Sequence, residues 1–257
     1  MKRNSWALWG ASLCTYAFLY VPLVVVVVYS FNDSRLNAEW VGFTWHWYRE
    51  LFQDEQMLGA AWNSLVIGLV SSAVATLLGT MAGYAMYRYR LRLLPVLVLT
   101  PIAIPEILTG VSLLIFFVML NLTLGLVSII LSHIAFSVGF VAIVVRSRLA
   151  GMDESLIEAA RDLGATPWRS FRLITLPLIM PGIVAGALMA FTLSIDDFVI
   201  TFFTAGVDST TLPLQIYSMI KIAVTPEVNA VSTLLMLLTL VLIVIATRLA
   251  PGVFRGE

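Results

Sequence analysis

Lysine is almost missing from this chain: of its fifteen basic residues only Lys2 and Lys221 are lysines. Neither follows a glycine, so the Gly-Lys turn of a P-loop cannot form, and the chain has no ATP site of that kind. Cys14 is the sole cysteine, which excludes a disulfide within the chain and argues against a thiolate metal cluster. The two histidines, His46 and His133, are far apart and lack metal-ligand spacing. No Gly-x-Ser-x-Gly elbow occurs. Charged residues make up only 12% of the chain, against roughly 25% in a soluble domain. The net charge is zero, so the basic footprint of a nucleic-acid binder is absent. These gaps leave no enzyme active site, no metal site and no cofactor of the chain's own.

What is present is apolar: 60% of the residues are hydrophobic, and they are arranged in long runs. A membrane-crossing helix needs about 20 mostly apolar residues. Six stretches meet that requirement, so the expected fold class is an all-α integral membrane protein with six transmembrane helices in one domain, 1–257. The first stretch covers 9–31. The start, Met1-Lys2-Arg3, resembles the basic end of a signal peptide, but the apolar run continues to Phe31 without a small-residue cleavage site, so a retained helix is expected. A polar loop, 32–61, follows; its aromatic 45–52 portion has the character of an interfacial segment. The second helix is expected over 62–87 and the third over 94–120. Pro95, Pro101 and Pro105 kink or break the first half of the third. The fourth covers 124–145, the fifth 174–198 and the sixth 229–249, with a mixed segment at 201–228.

Between the fourth and fifth helices lies the only sizeable mixed-charge stretch, 151–181. Asp153 can cap a helix in which Leu156, Ala159, Ala160 and Leu163 share one face. Gly164 suits the left-handed position past its end. Thr166-Pro167 restarts a helix with a cap and a proline at the first position. Two readings follow from this pattern: an amphipathic helix lying on the membrane surface, or a knob whose two alanines let another surface approach closely.

The basic residues set an orientation. With the N-terminus inside, Lys2, Arg3, Arg88, Arg90, Arg92, Arg146, Arg148, Arg161, Arg169, Arg172, Arg248 and Arg255 are cytoplasmic. Only Arg35, Arg49 and Lys221 lie outside. Both termini and the 151–173 loop are then cytoplasmic.

Three acids interrupt apolar stretches: Glu106, Asp196 and Asp197. A charge at the bilayer centre costs about 2.5 to 3.5 kcal/mol even on the lenient insertion scale. Every Lys and Arg is assigned to a loop or helix end, so no basic partner is expected for them. On a straight helix Glu106 lies about 21 Å beyond Arg92, somewhat past the midplane. Asp196 and Asp197 fall near the outer end of the fifth helix, where negative charge opposes the helix dipole. About 100° separates adjacent side chains on a helix, so one of the pair is expected to face a path. Such acids are protonated, line a water-filled route, await a cationic substrate, or sit hydrated at the interface. His133, alone in mid-helix, reads as a packed and hydrogen-bonded residue. Tyr84, Tyr87, Tyr89 and Tyr217 can offer ring faces to an amine or serve as belt and packing residues.

The run Glu158-Ala-Ala-Arg-Asp-Leu-Gly164, followed by Ile174 and Leu176-Pro177, resembles the EAA loop of ABC importer permeases. Further stretches, Pro105-Glu-Ile-Leu-Thr-Gly-Val-Ser-Leu113, Phe191-Thr-Leu-Ser-Ile-Asp-Asp197, Leu212-Pro-Leu214 and Pro226-Glu-Val-Asn-Ala230, extend the resemblance over nearly the whole chain. They resemble the permease subunit of spermidine/putrescine (polyamine) ABC importers, the C-type or the putrescine I-type. The resemblance implies a type I importer permease fold in the bacterial inner membrane, with a cytoplasmic coupling helix. It implies a second, related permease, two ATPase subunits that bind ATP and Mg, and a periplasmic polyamine-binding protein. On that reading Glu106, Asp196, Asp197 and Tyr217 belong to the substrate path, and Glu158, Ala159, Ala160 and Gly164 couple the chain to the ATPase. Glu106 departs from the Asp expected in the nearest relatives and reaches one methylene further. Two other functions compete: an ABC permease for another solute such as an amino acid, and an ion-coupled carrier using the acids as a proton relay.

Overall fold

The computed structural model describes residues 5–34, 39–89, 92–222 and 225–249. Lys2, Arg3, Arg35, Arg90 and Arg255, all used above to orient the chain, lie outside the described residues. In chain order the helices are α1 (Ser5–Tyr29), α2 (His46–Leu51), α3 (Glu55–Arg88), α4 (Leu93–Ala103), α5 (Glu106–Met119), α6 (Leu126–Ala150), α7 (Ser155–Asp162) and α8 (Pro167–Ser170). A π-helical turn (Phe171–Thr175) leads into α9 (Leu176–Ile195), and α10 (Val199–Thr204), α11 (Leu212–Ile222) and α12 (Pro226–Leu249) complete the chain. Among the described residues the one β feature is an antiparallel bridge between Asn32 and Phe43.

Five helical stretches are long and apolar enough to cross a membrane, and α4 with α5 makes a sixth if the bent pair counts as one. That pair turns through 108°, so the expected third helix is broken rather than kinked. The cause is local. Ile104 precedes a proline and takes an extended conformation, with ψ at 136°. Pro105 then lacks the N–H that would continue the ladder. The straight-helix depth assigned to Glu106 therefore does not apply.

Two other boundaries differ from the expected ones. α3 begins at Glu55 rather than near Trp62, because Asp54 Oδ1 accepts the N–H groups of Gln56 (2.8 Å) and Met57 (3.2 Å). The fifth span stops at Ile195, before the Asp pair, and the chain restarts as α10. The expected mixed segment therefore contains two short helices.

The structure divides into two compact units, 1–58 with 215–238 and 59–214 with 239–257. In the first, Asn32 is fully buried and organises the loop after α1. Its Nδ2 donates to the Glu39 carbonyl (2.8 Å) and its Oδ1 accepts from Val41 N–H (2.9 Å). Its own carbonyl accepts from Trp47 Nε1 (2.8 Å). Phe31 packs within about 5 Å of Phe43, Trp45 and Tyr48. α1 itself is exposed along most of its length, as a helix facing lipid or another subunit must be.

In the second unit α6 is central, packed by α4, α5, α9 and α10. Val141, Val145 and Leu149 of α6 are fully buried with Ala75 of α3 and Ile179 and Ala190 of α9. Lipid gives no hydrophobic drive to helix pairing, so such seams depend on close contact between small residues. Gly79 and Gly139 supply it. A Cβ at Gly79 would sit 2.6 Å from Val141 Cβ, and one at Gly139 2.6 Å from the Val98 carbonyl oxygen.

Replacing Gly139 by Val is expected to cost about 1–3 kcal/mol of overpacking. Gly59→Ala, at a position with open space, is the control. Thermal unfolding of the detergent-purified protein should show a lower midpoint for the first and no fall for the second; equal midpoints would remove the close-contact argument.

Candidate functional site

The interruptions of the spanning helices bring the acidic residues together. Glu106 opens α5 directly after the break at Pro105, where a carboxylate is favoured by the helix dipole. Asp196 caps the end of α9, and Asp197 stands in the gap before α10. α5 packs against α10: a Cβ at Gly110 would lie 2.7 Å from the ring of Phe203. Glu106 and Asp196 are both exposed, and Asp196 is within electrostatic reach of Glu106 and Asp197. Neither Glu106 nor Asp196 is in an ion pair among the described residues.

Asp197 turns the other way. Its side chain is 7% exposed, and Oδ2 lies 3.2 Å from Nε2 of His133, which is 2% exposed. The expectation that no basic group in the chain is available to these acids therefore fails for Asp197, because the count of Lys and Arg left out histidine. The expectation that a carboxylate here opposes a helix dipole also fails for Asp197. It precedes α10, and its oxygens accept the N–H groups of Ile200 (3.4 Å) and Thr201 (2.8 Å), a capping arrangement at a helix start.

His133 reaches three elements at once. Thr201 Oγ1 donates to Asp197 Oδ2 at 2.7 Å, which leaves its lone pairs for Nε2 of His133 at 3.0 Å. Both neighbours of Nε2 are acceptors, so Nε2 carries a proton. Nδ1 meets Ser194 Oγ at 2.6 Å, and Ser194 Oγ meets Ser71 Oγ at 3.1 Å. With a neutral ring, Ser71 donates to Ser194 and Ser194 to Nδ1. With a charged ring both bonds reverse, and Ser71 can donate to the Gly68 carbonyl at 3.4 Å. The network is satisfied in either state, and it ties α3, α6, α9 and α10 together. Sequence reasoning identified His133 as hydrogen-bonded but missed Ser71, Ser194 and Thr201. The available signal was spacing: Thr201 lies one helical turn beyond Asp197.

Tyr217 belongs to the other compact unit. It lies on α11 with its ring 4.7 Å from Lys221 Nζ, so this ring already holds one ammonium group. Tyr84 packs against Phe171 at 5.1 Å, Tyr87 donates to Glu154 Oε1 at 2.5 Å, and Tyr89 is exposed.

The 151–173 stretch folds as its sequence implies. Asp153 Oδ1 accepts from Ser155 N–H at 2.9 Å, and hydrogen bonds from the Ser155 hydroxyl and N–H hold the Asp153 carboxyl below the usual range. Gly164 has φ +83°, and Thr166 caps α8 through Arg169 N–H at 3.3 Å. No residue of α7 is buried. Ala160 is half-buried, Glu158 and Ala159 are exposed, and Leu163 and Trp168 are 90% and 70% exposed.

Removing His133 leaves the Asp197 carboxylate in the interior without its partner. His133→Ala is expected to cost about 3–5 kcal/mol, while Asp197→Asn, which keeps its shape and some bonds, costs less. The double variant should be more stable than the sum of the two by at least about 1 kcal/mol. Strict additivity in thermal unfolding of the purified protein would mean that the pair does not act as a unit.

Comparison with known proteins agrees with this architecture. A family model described as the inner membrane component of binding-protein-dependent transport systems matches residues 75–255. The chain is 42% identical over 251 residues to the spermidine/putrescine transport system permease protein PotC of Escherichia coli K12, covering 96% of this chain and 95% of that protein. It is 42% identical over 234 residues to the putrescine transport system permease protein PotI of the same strain, covering 87% and 83%. A crystal structure of a bacterial ABC transporter involved in the import of alginate has the same fold, with a TM-score of 0.74 and 19% identity over 98% of this chain and 97% of that one. The matched sequence places the chain in the family of binding-protein-dependent transport system inner membrane components, as a multi-pass permease subunit.

Proposed function

We propose that this chain forms part of the path of an ATP-driven importer for polyamines such as putrescine and spermidine. The observation that carries this reading is the exposed acid pair Glu106 and Asp196, set at two helix breaks within electrostatic reach of one another and without a resident cation among the described residues. A polyamine is a flexible chain of ammonium groups, and two separated carboxylates suit it. An anion route would place Arg or Lys there, and α5, α9 and α10 contain none. The names of the two relatives point the same way.

Within this reading Glu106 and Asp196 contact substrate amines. Asp197 holds the α9–α10 corner in the arrangement described and enters the path only if the His133 bond opens. Tyr217 offers its ring face to a passing ammonium in the way it now receives Lys221. The 151–173 loop faces the cytoplasm, as do both termini, by the Lys and Arg asymmetry. There the outward-facing α7 docks on an ATPase subunit. Leu163 and Trp168 supply apolar contact, Ala159 and Ala160 allow close approach, Glu158 supplies charge, and Gly164 supplies the turn. The full assembly comprises this chain, a second related permease, two ATPases that bind ATP and Mg, and a periplasmic polyamine-binding protein. The chain itself holds no cofactor.

Two measurements test this. In proteoliposomes containing the whole complex, Glu106→Gln and Asp196→Asn should each lower polyamine uptake about tenfold, the loss of about 1.4 kcal/mol, at unchanged complex content. Undiminished uptake in both variants would end the proposal for these acids. Gly164→Val places a β-branched residue at positive φ, which is strongly disfavoured. Substrate-stimulated ATPase activity should fall about tenfold or more with polyamine binding by the periplasmic protein intact; a normal rate would separate α7 from coupling.

A further inference from the structure

Histidine is the side chain whose charge ordinarily changes between about pH 5 and 8, and His133 is buried at the acid corner. Its surroundings fit both forms. Nε2 keeps its proton throughout, facing Asp197 Oδ2 at 3.2 Å and Thr201 Oγ1 at 3.0 Å. Only Nδ1 changes, and it faces hydroxyls that can turn: Ser194 Oγ at 2.6 Å and, beyond it, Ser71 Oγ at 3.1 Å. A hydroxyl accepts from a charged ring and donates to a neutral one. A backbone carbonyl at Nδ1 would hold the ring charged, and an N–H would hold it neutral; the hydroxyl pair does neither. Asp197 keeps its own support in both states. The N–H groups of Ile200 (3.4 Å) and Thr201 (2.8 Å) and the Thr201 hydroxyl (2.7 Å) all donate to it. The carboxylate therefore stays ionised when the ring is neutral.

The charge of the corner then takes two values. Asp196 is within electrostatic reach of both Asp197 and Glu106. Three carboxylates and one imidazolium leave two negative charges; three carboxylates beside a neutral ring leave three. No other ionisable group intervenes on the packed elements. α4, α9 and α10 contain none, and α5 contains Glu106 alone. Those of α3 (Glu55, Tyr84, Tyr87 and Arg88) lie about three turns or more from Ser71, as do Arg146 and Arg148 of α6 from His133. Whatever charge a second permease adds, loss of one proton from His133 makes the site one charge more negative.

Resting on the polyamine reading above, we propose that His133 sets the preference between doubly and triply charged polyamines. Protonated, it favours cargo with two ammonium groups; neutral, it favours cargo with three. It contacts Asp197 rather than cargo and acts through the charge of the site. On neutralisation the proton leaves Nδ1 and goes to water, Ser194 and Ser71 turn to donate toward the ring, and the carboxylates are unchanged. Every ammonium gains from the more negative site, and the third adds its own share, so the ratio of the two cargoes moves. Aliphatic amines keep their protons over the same range, as lysine does with a pKa of about 10.4. The cargo's own charge therefore does not produce the shift.

The test uses proteoliposomes containing the whole complex, with equal pH on both faces. The periplasmic binding protein is saturated in separate runs with labelled putrescine (two ammonium groups) or spermidine (three). The spermidine-to-putrescine ratio of uptake rates is read at about pH 5.5 and about pH 7.5, on either side of an ordinary histidine. In the unsubstituted complex the ratio should rise about fivefold with pH. His133→Gln keeps a donor toward Asp197 and an acceptor toward Ser194 but has no charge, so it should show the high ratio at both pH values. Asp197→Asn removes one negative charge and should lower the ratio about fivefold at the higher pH. A variant that only loosens the fold lowers both uptakes and leaves their ratio in place, so opposite shifts in the two variants support the proposal. The pH series itself requires no variant. A ratio independent of pH in the unsubstituted complex overturns the proposal, as does a pH dependence that survives in His133→Gln or a shift of the same sign in both variants. Uptake with a fixed ratio overturns this inference alone; no uptake of either polyamine overturns the polyamine reading and this inference with it.

Discussion

A helix that stops inside an apolar slab leaves N–H and C=O groups that no water can reach. This chain breaks one span at Ile104–Pro105 and ends another at Ile195, and at both places the freed groups need partners. At the second break Asp197 meets that need directly, by accepting the first free N–H groups of α10. That solution places a carboxylate in the interior, which needs a partner in turn. His133 provides it from α6, steadied by Ser194 on its other nitrogen. The central position of α6 follows from the same requirement. It must approach α9 and α10 closely enough for one imidazole to reach both, and Gly79 and Gly139 keep its packing against α3 and α4 close.

The two breaks have different physical origins. At Pro105 backbone chemistry alone ends the helix, and Glu106 gains from the free N-terminus that results. At Asp196 no proline intervenes, and the chain turns because Asp197 finds better partners sideways than along the axis. The outcome in both places is an acid at a helix terminus. Asp196 and Glu106 remain open to the surroundings because Asp197 absorbs the burial and the histidine. Two adjacent and chemically identical residues thus divide the work: one holds the corner and the other is presented.

The 151–173 loop was largely legible. Its caps, its left-handed glycine and its apolar face are all local features, set by backbone sterics and by hydrogen bonds spanning two to four residues. The third span's break was legible for the same reason, although not its angle. The His133 network was not. The bonds that His133 and Ser71 make span 61 to 123 residues of chain, and each residue read singly looks like an isolated polar residue in a membrane helix. Counting only Lys and Arg as partners for the acids concealed it further.

Composition and hydrophobic run length by themselves determined that this is a multi-span helical membrane protein, because bilayer thickness and backbone hydrogen bonding leave few alternatives. Pro105 and Gly164 determined the break in the third span and the turn after α7, because those residues act within one turn of themselves. Only the tertiary structure decided that Asp197 faces His133 while Asp196 is exposed. Side-chain direction past a helix end depends on where the next helix packs, and no local rule carries that information. Only the tertiary structure brought Tyr87 to Glu154, because a spanning helix ends there against a loop more than sixty residues further along.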